Sequence, residues 1–296
     1  MIAWERFTGS VMNSSIMTPR EGSNLDARSE TPCSAGVEPA VPAVGRAIIP
    51  EQVSGSEGPV KYYQPEHRTG YAEIERRGLS CWNELHGESG FVFSLHSFLD
   101  RVLLDMTFAS DRPRALEYGC GTGACCCYLA ERGFEVDGLD VEPKAIQLAQ
   151  QIASDRGHSI NYRIADICDH DGPREEFDLI VDGYCLQCIV LENDRQGVFA
   201  AVRSMLRYEG YFVIGTAIWD PGRDYGGDPV DRVEGISYGP LTGDPGEYES
   251  AEMIDGSWHL PNRRHRTPPQ LRNEVVSAGF EVLEQDGGQL LCRLQR

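Results

Sequence analysis

The segment Leu116-Glu117-Tyr118-Gly119-Cys120-Gly121-Thr122-Gly123 sets three glycines at alternate positions behind a carboxylate. Glycine lets a chain turn sharply and lets a ligand come close to the backbone. A helix that starts just after such a turn offers free N–H groups and the positive end of its dipole. Two further acids, Asp140 and Asp166, close later apolar runs. A second group of residues follows another apolar run: Asp182, Gly183, Tyr184, Cys185, Gln187 and Cys188. The Cys185/Cys188 pair has the spacing of a metal or redox motif. No second pair of that spacing accompanies it, so small apolar thiols beside a buried strand are the expected role and no metal is expected. A third group, Trp258 to Arg266, is a basic cluster in an acidic chain. It suits recognition of an anionic substrate by Arg263 and His265, with His259 or His265 as a proton acceptor. Pairing of these arginines with acids such as Glu252 and Asp255 is the competing reading. Tyr71, Trp82 and His86 are expected to complete a cap over the site, unless they simply pack an amphipathic helix.

The elements that must hold these groups follow from periodicity. Tyr71 to His86 and Phe91 to Met106 read as helices, the second with Leu95, Leu99, Val102 and Met106 on one face. From Ala115 onward, strands and helices alternate. Strands are expected at 115–118, 134–140, 160–167, 177–182 and 211–218. Helices are expected at 124–132, 143–154 and from a cap at Asn193 or Asp194 to Leu206. Such alternation implies a parallel sheet covered on both faces. Residues 221–268, with eight Gly and six Pro, break the pattern and read as a substrate lid. A helix at 269–278 and two strands, 280–284 and 289–294, end the chain. Asp286-Gly287-Gly288 between those strands signals a hairpin. In an open parallel sheet ligands sit at the carboxyl ends of the strands, where all three groups are expected to lie.

Gly119, Gly121 and Ala124, with Asp140 about 20 residues on, also satisfy a dinucleotide-binding pattern, so an NAD(P)-dependent oxidoreductase is the rival enzyme. Glu117 opposes it, because a carboxylate there repels a pyrophosphate. The glycine motif with its leading acid, Asp140, Asp166 and the closing hairpin together resemble class I S-adenosylmethionine-dependent methyltransferases over roughly residues 115–294. The resemblance implies a Rossmann-like, doubly wound, mostly parallel seven-stranded α/β sheet with an antiparallel last strand. It also implies S-adenosyl-L-methionine as cofactor. Glu117, Gly119, Cys120, Gly121 and Gly123 would lie by the methionine part, Asp140 and Val141 by the ribose, and Asp166 and Ile167 by the adenine. Asp182, Tyr184 and Gln187 would border the methyl group. Tyr184 and His259 are the candidate catalytic residues, and the acceptor is expected to be a small molecule. The fourth strand ends in Asp182-Gly183-Tyr184-Cys185 rather than Asn/Asp-Pro-Pro-Tyr/Phe, which argues against nucleobase or glutamine-amide acceptors. A cofactor-binding protein that lost its activity is the non-enzyme alternative.

Composition sets the outer bounds. Of 296 residues, 27 are Lys or Arg and 46 are Asp or Glu, for a formal charge of −19. Such a surface repels phosphate backbones and anionic membranes, so neither nucleic acid nor membrane is an expected partner. No apolar run reaches 18 residues, and Met1 to Ser10, with no apolar core, is not expected to act as a secretory signal. The ten cysteines are read as reduced thiols in a cytoplasmic protein. Residues 1–60, with eight Ser, six Gly and six Pro, read as a disordered tail. Residues 61–110 read as a helical cap, and 111–296 as the catalytic domain with its lid at 221–268.

Overall fold

The computed structural model describes residues 58–87 and 90–295. From Gly58 onward the chain forms one unit. It opens with α1 (Gln64–Arg77), α2 (Trp82–Leu85) and α3 (His96–Val102). Then come β1 (Arg114–Tyr118), α4 (Ala124–Glu131), β2 (Glu135–Asp140), α5 (Pro143–Asp155), β3 (Asn161–Ile164), β4 (Phe177–Gly183), α6 (Glu192–Met205) and β5 (Leu206–Gly215). The insertion carries β6 (Val230–Asp231), β7 (Ile236–Pro240), β8 (Glu252–Ile254) and β9 (Ser257–Arg264). The chain ends with α7 (Pro268–Ser277), β10 (Phe280–Asp286) and β11 (Gln289–Leu294).

The main sheet has the order β10-β11-β5-β4-β1-β2-β3. All pairs from β5 to β3 are parallel, and β11 runs antiparallel to both β5 and β10. This is the expected seven-stranded, doubly wound sheet. The strand order reverses between β1 and β4, which makes their carboxyl ends the natural crevice. Strand alternation divides the core. Leu116, Tyr118, Ile180, Phe212 and Ile214 face one layer, with α6 and α7. Ala115, Leu179, Val181, Tyr211 and Val213 face the other, with α3, α4 and α5. Both faces are covered, so the central strands are apolar on both sides and read as continuous runs. The three consecutive cysteines of α4 are simply part of the second layer.

Several boundaries differ from expectation for identifiable reasons. The first helix starts at Gln64 with Pro65 in its first turn and stops at Gly78, which takes φ 65. The helix expected from Phe91 covers only His96–Val102. Neither Asn193 nor Asp194 caps α6, whose N-cap is Leu191. The capping acceptor comes from far away instead: the Tyr62 hydroxyl oxygen accepts from Val190 N (2.8 Å) and Leu191 N (3.1 Å). Asp194 is turned to Lys61, 3.1 Å away. By contrast, α7 has the local capping box, with Thr267 and Gln270 exchanging bonds.

The insertion is not an irregular lid. It folds as its own antiparallel sheet, β6-β7-β9-β8. Gly235, at φ 72, lets the chain pass the His265 carbonyl, which a Cβ would strike. The expected tail reaches residue 60, but Val60 is paired with Tyr248, bonding to Glu247 O (2.9 Å) and receiving from Glu249 N (2.8 Å). The tail expectation for residues 1–57 lies outside the described residues.

The Tyr62 cap generates a test of the fold. Tyr62 is 2 % exposed, so Tyr62→Phe leaves two amides at the start of α6 without their acceptor. The variant should lose about 1–3 kcal/mol of stability, measured by urea unfolding. An unchanged midpoint would show that water satisfies those amides.

Candidate functional site

Four acids stand at or just past the carboxyl ends of four neighbouring parallel strands, and each accepts at least one main-chain N–H group from the chain at that edge. Glu117 of β1 accepts from Cys126 N (3.1 Å) and the Cys126 thiol (3.0 Å), inside the first turn of α4. Asp140 of β2 accepts from Gly121 N and from Glu142 N, each 2.9 Å away. Asp166, after β3, accepts from Cys168 N at 3.0 Å and from the Tyr63 hydroxyl. Asp182 of β4 accepts from Cys185 N (2.7 Å), Leu186 N (3.1 Å) and the Tyr118 hydroxyl (3.0 Å).

Burial dominates the electrostatics of this edge. It pushes Glu117 up to about 8, against the two bonds from Cys126, while Asp140 and Asp182 add repulsion. It pushes Asp182 up to about 7, against its N–H and hydroxyl donors. Asp140 is raised for the same reason, with the Glu142 and Gly121 amides opposing. Carboxylates placed this close disfavour each other's ionisation.

The glycine loop needs its glycines. Gly119, Gly121 and Gly123 take φ of 60°, 55° and 81°, a region costly for residues with a Cβ. Space requires them too. A Cβ on Gly119 would meet the Cys185 thiol, and one on Gly121 would stand 2.8 Å from the Tyr71 hydroxyl. The loop is therefore a cradle that brings other groups onto bare backbone. Cys120 and Ile167 are buried along this edge, and Val141 is half-buried.

The cover over the cradle is α1, which the sequence reading began seven residues too late. Tyr63, His67 and Tyr71 recur at helical spacing. Tyr63 meets Asp166 and Tyr71 stands over Gly121. His67, between them, bonds through Nδ1 to the Tyr63 carbonyl at 2.6 Å. A carbonyl only accepts, so Nδ1 carries a proton, and the Cys188 side chain is a further hydrogen-bond partner of the ring. His67 is raised to about 9: burial lowers it, but Cys188 and Glu66 outweigh burial. Trp82 packs on Tyr71, His67 and His86 with ring centroids 5.2, 5.5 and 6.3 Å apart. The expected cap of Tyr71, Trp82 and His86 is thus a single aromatic cluster. Glu66, His67 and Tyr63 are the members that sequence reading missed. Pro65-Glu66, a first-turn signature, was the available signal.

The remaining candidates separate. Tyr184 takes φ 71, strained for a bulky residue, and is held by its N–H to Gly215 O at 2.8 Å. Gln187 accepts from Ala217 N at 3.0 Å and so braces the turn after β4 against the end of β5. Asp182 is fully buried and holds that turn through Cys185 N and Leu186 N. The basic cluster is ion-paired throughout. Arg263 forms a two-pronged bond to Glu66 at 2.6 and 2.9 Å. Arg264 pairs with Glu192 and Glu234, and Arg266 with Glu234 and Glu274. The partners are not Glu252 or Asp255, yet the effect is the same: these charges are spent inside the fold. His265 lies against Arg223 Nη1 (3.1 Å) and the Tyr225 hydroxyl (3.4 Å). Burial first, then Arg223 and Arg263, press it down to about 3. His259 bonds to Ser257 O at 3.0 Å and pairs across the sheet with Pro240 and Glu252. It stands four residues from Arg263, about 13 Å along an extended strand. Its described hydrogen-bond and cross-strand partners all belong to the insertion.

The dinucleotide alternative loses its anion seat. The Cys126 N–H in the first turn of α4, where a pyrophosphate would bind, is engaged by Glu117. Among the described residues no group of three or more His, Cys, Asp or Glu side chains is arranged to hold a metal ion, and no helix is long and apolar enough to cross a membrane. All nine described cysteines are free.

With this geometry in place, comparison with known proteins identifies the domain. Residues 115–210 match the methyltransferase domain family. A 2-heptyl-1-hydroxyquinolin-4(1H)-one methyltransferase of Mycobacteroides abscessus is 34% identical over 122 residues, covering 40% of this chain and 53% of that protein. An aklanonic acid methyltransferase of a Streptomyces species is 28% identical over 128 residues, covering 42% and 57%. The matches thus span about half the length of these curated relatives. Among solved structures, the Burkholderia thailandensis 1,6-didemethyltoxoflavin-N1-methyltransferase, with that compound and S-adenosylhomocysteine bound, shares the fold with a TM-score of 0.52 at 17% identity. It covers 79% of this chain and 89% of its own. Residues 115–210 are a methyltransferase domain of the class I, S-adenosylmethionine-dependent type.

Glu117 gives a pH-dependent test of this geometry. Its carboxyl stays protonated in the folded chain to about pH 8, while its ordinary value is 4.5. Between those values the folded state holds more protons than the unfolded state, so stability falls as pH rises. Glu117→Gln removes that slope, which is at most about 1.4 kcal/mol per pH unit. Urea unfolding from pH 5 to 8 should show the variant gaining on the wild-type protein. Parallel pH profiles would mean that Glu117 ionises in the folded state like an exposed carboxylate.

Proposed function

We propose that this protein transfers a methyl group from S-adenosylmethionine to a small planar, aromatic or heteroaromatic acceptor. The observation that carries the proposal is the glycine cradle at the sheet's switch point, bounded by Asp140 and Asp166 and matched to a methyltransferase domain. The cradle fits the cofactor's chemistry. Bare backbone at Gly119 and Gly121 accommodates a closely seated chain, and acids surround it where a sulfonium and an ammonium are carried. When bound, the cofactor supplies an electrophilic methyl group.

The chain's own residues do the rest. Asp140 and Asp166 each have spare lone pairs and accept from ribose hydroxyls and the adenine amino group. Glu117, held protonated by burial near neutral pH, fixes the first turn of α4 beside the methionine end, with Val141 and Ile167 as apolar walls. Trp82, Tyr71, His67 and His86 provide ring faces for a flat acceptor. At neutral pH His67 is an imidazolium, so it donates a hydrogen bond to the acceptor and does not remove its proton. The chain contributes mainly alignment, the term that brings donor and acceptor to near-attack distance.

The quinolone, aklanonic acid and toxoflavin chemistry in the names of similar proteins supports an aromatic acceptor. The ion pairing of Arg263, Arg264 and Arg266 removes the support for an anionic one. The net charge of −19 argues against a nucleic-acid acceptor. The free cysteines suit a reducing compartment such as the cytoplasm.

Calorimetry should find binding of S-adenosylhomocysteine and none of NADH. Asp140→Asn should weaken that binding about 10- to 100-fold, one or two charge-assisted bonds. Labelled methyl from S-adenosylmethionine should appear on members of a hydroxyquinoline and nitrogen-heteroaromatic panel. Binding without any transfer would favour a protein that keeps the cofactor fold for regulation. NADH binding alone would restore the oxidoreductase reading.

A further inference from the structure

The segment from Val60 to Tyr71 touches two parts of the molecule at once. Toward the sheet, Tyr63 holds Asp166 and Tyr71 stands over Gly121. Toward the insertion, Val60 bonds to the backbone of Glu247 and Glu249, and Lys61 lies 3.3 Å from Glu249. Glu66 takes both terminal nitrogens of Arg263. The last contact differs in kind. Both side chains are only 18% exposed, and two parallel N–H···O bonds fix direction as well as charge. Burial alone would raise the Glu66 carboxyl, but Arg263 outweighs it and holds it below its ordinary value. A second bond ties Arg263 Nη1 to the Asn262 amide oxygen at 2.6 Å. The guanidinium is thus engaged and not presented to an acceptor. Glu66 lies one position before His67, so the latch and the cofactor-facing residues share the first turns of one rigid helix.

We propose that the Glu66–Arg263 pair is a latch that holds α1 closed over the cofactor and couples its opening to the insertion sheet. The proposal rests on the reading of S-adenosylmethionine as cofactor and assigns Glu66 and Arg263 as positioning residues. A ligand seated under Tyr63 and Tyr71 leaves only when α1 lifts. Lifting α1 either separates two buried charges or carries β9 with it. An acceptor resting against the insertion therefore resists cofactor release, and the ligands exchange in order: the cofactor enters first and its demethylated product leaves last.

The test is a double-mutant cycle on the full chain, read in two ways. Stopped-flow tryptophan fluorescence follows dissociation of S-adenosylhomocysteine. Hydrogen exchange of the ligand-free protein follows α1 and β9 separately. Glu66→Gln and Arg263→Gln should each speed dissociation about tenfold, and the double variant should be no faster than either single one. Arg263→Lys, which keeps the charge but not the paired bonds, should fall between; it carries the comparison if a glutamine variant does not fold. Exchange should rise in α1 and β9 together. A pair that serves stability alone would raise exchange and leave dissociation unchanged, and that result overturns the latch. So would additive effects, or exchange rising in only one of the two elements. A wild-type protein that binds no S-adenosylhomocysteine overturns the cofactor reading and the latch with it. Tight wild-type binding with unaltered variants overturns the latch alone.

Discussion

An acid at the end of a parallel strand must find donors, and here each finds main-chain N–H groups in the turns and the helix start along the same sheet edge. Glu117, Asp140, Asp166 and Asp182 do this at four adjacent positions on one sheet edge. The bonds fix where α4 begins, how the glycine loop is aimed and how the chain turns after β3 and β4. Each acid is thus both a structural fastener and a titratable group of the ligand edge, with burial raising Glu117 to about 8 and Asp182 to about 7. Two of the four, Asp140 and Asp166, keep lone pairs available beyond those fastening bonds. The other two are enclosed and shape the edge without lining it.

This double use explains which parts of the site were legible. The glycine spacing, the acids and the alternation of strands and helices were read directly, because local turn chemistry and periodicity encode them. The sheet has the expected strands and the expected final hairpin. What the sequence concealed are interactions between distant segments. Tyr62 replaces a local cap at α6, so Asn193 and Asp194 were natural but wrong choices. The Arg263 cluster is a surface of charges in one dimension and a set of ion pairs in three. Its partner Glu66 is 197 positions away, and no window along the chain could pair them.

The insertion's internal strands escaped notice for a related reason. Glycine and proline broke the strand–helix alternation, and helical periodicity was absent. In a small antiparallel sheet these residues instead serve turns, edges and close approaches, such as Gly235 against His265. The histidines within it were attractive as proton acceptors by type. In the fold, His259 is a strand residue among the insertion's own neighbours, and His265 is locked among Arg223 and Tyr225. The histidine on the helix that covers the glycine loop, His67, lies in a first turn that was overlooked.

The place of the insertion in the chain carries a further consequence. It leaves after β5 and returns at α7, and most of its hydrogen bonds are made within its own four strands. Lengthening a surface excursion of this kind is thermodynamically mild, about 0.6 kcal/mol for each doubling of a flexible loop. The sheet that fastens the glycine loop does not run through it. This module can therefore be exchanged while the glycine-loop edge stays intact, provided each replacement still offers a cation where Arg263 meets Glu66.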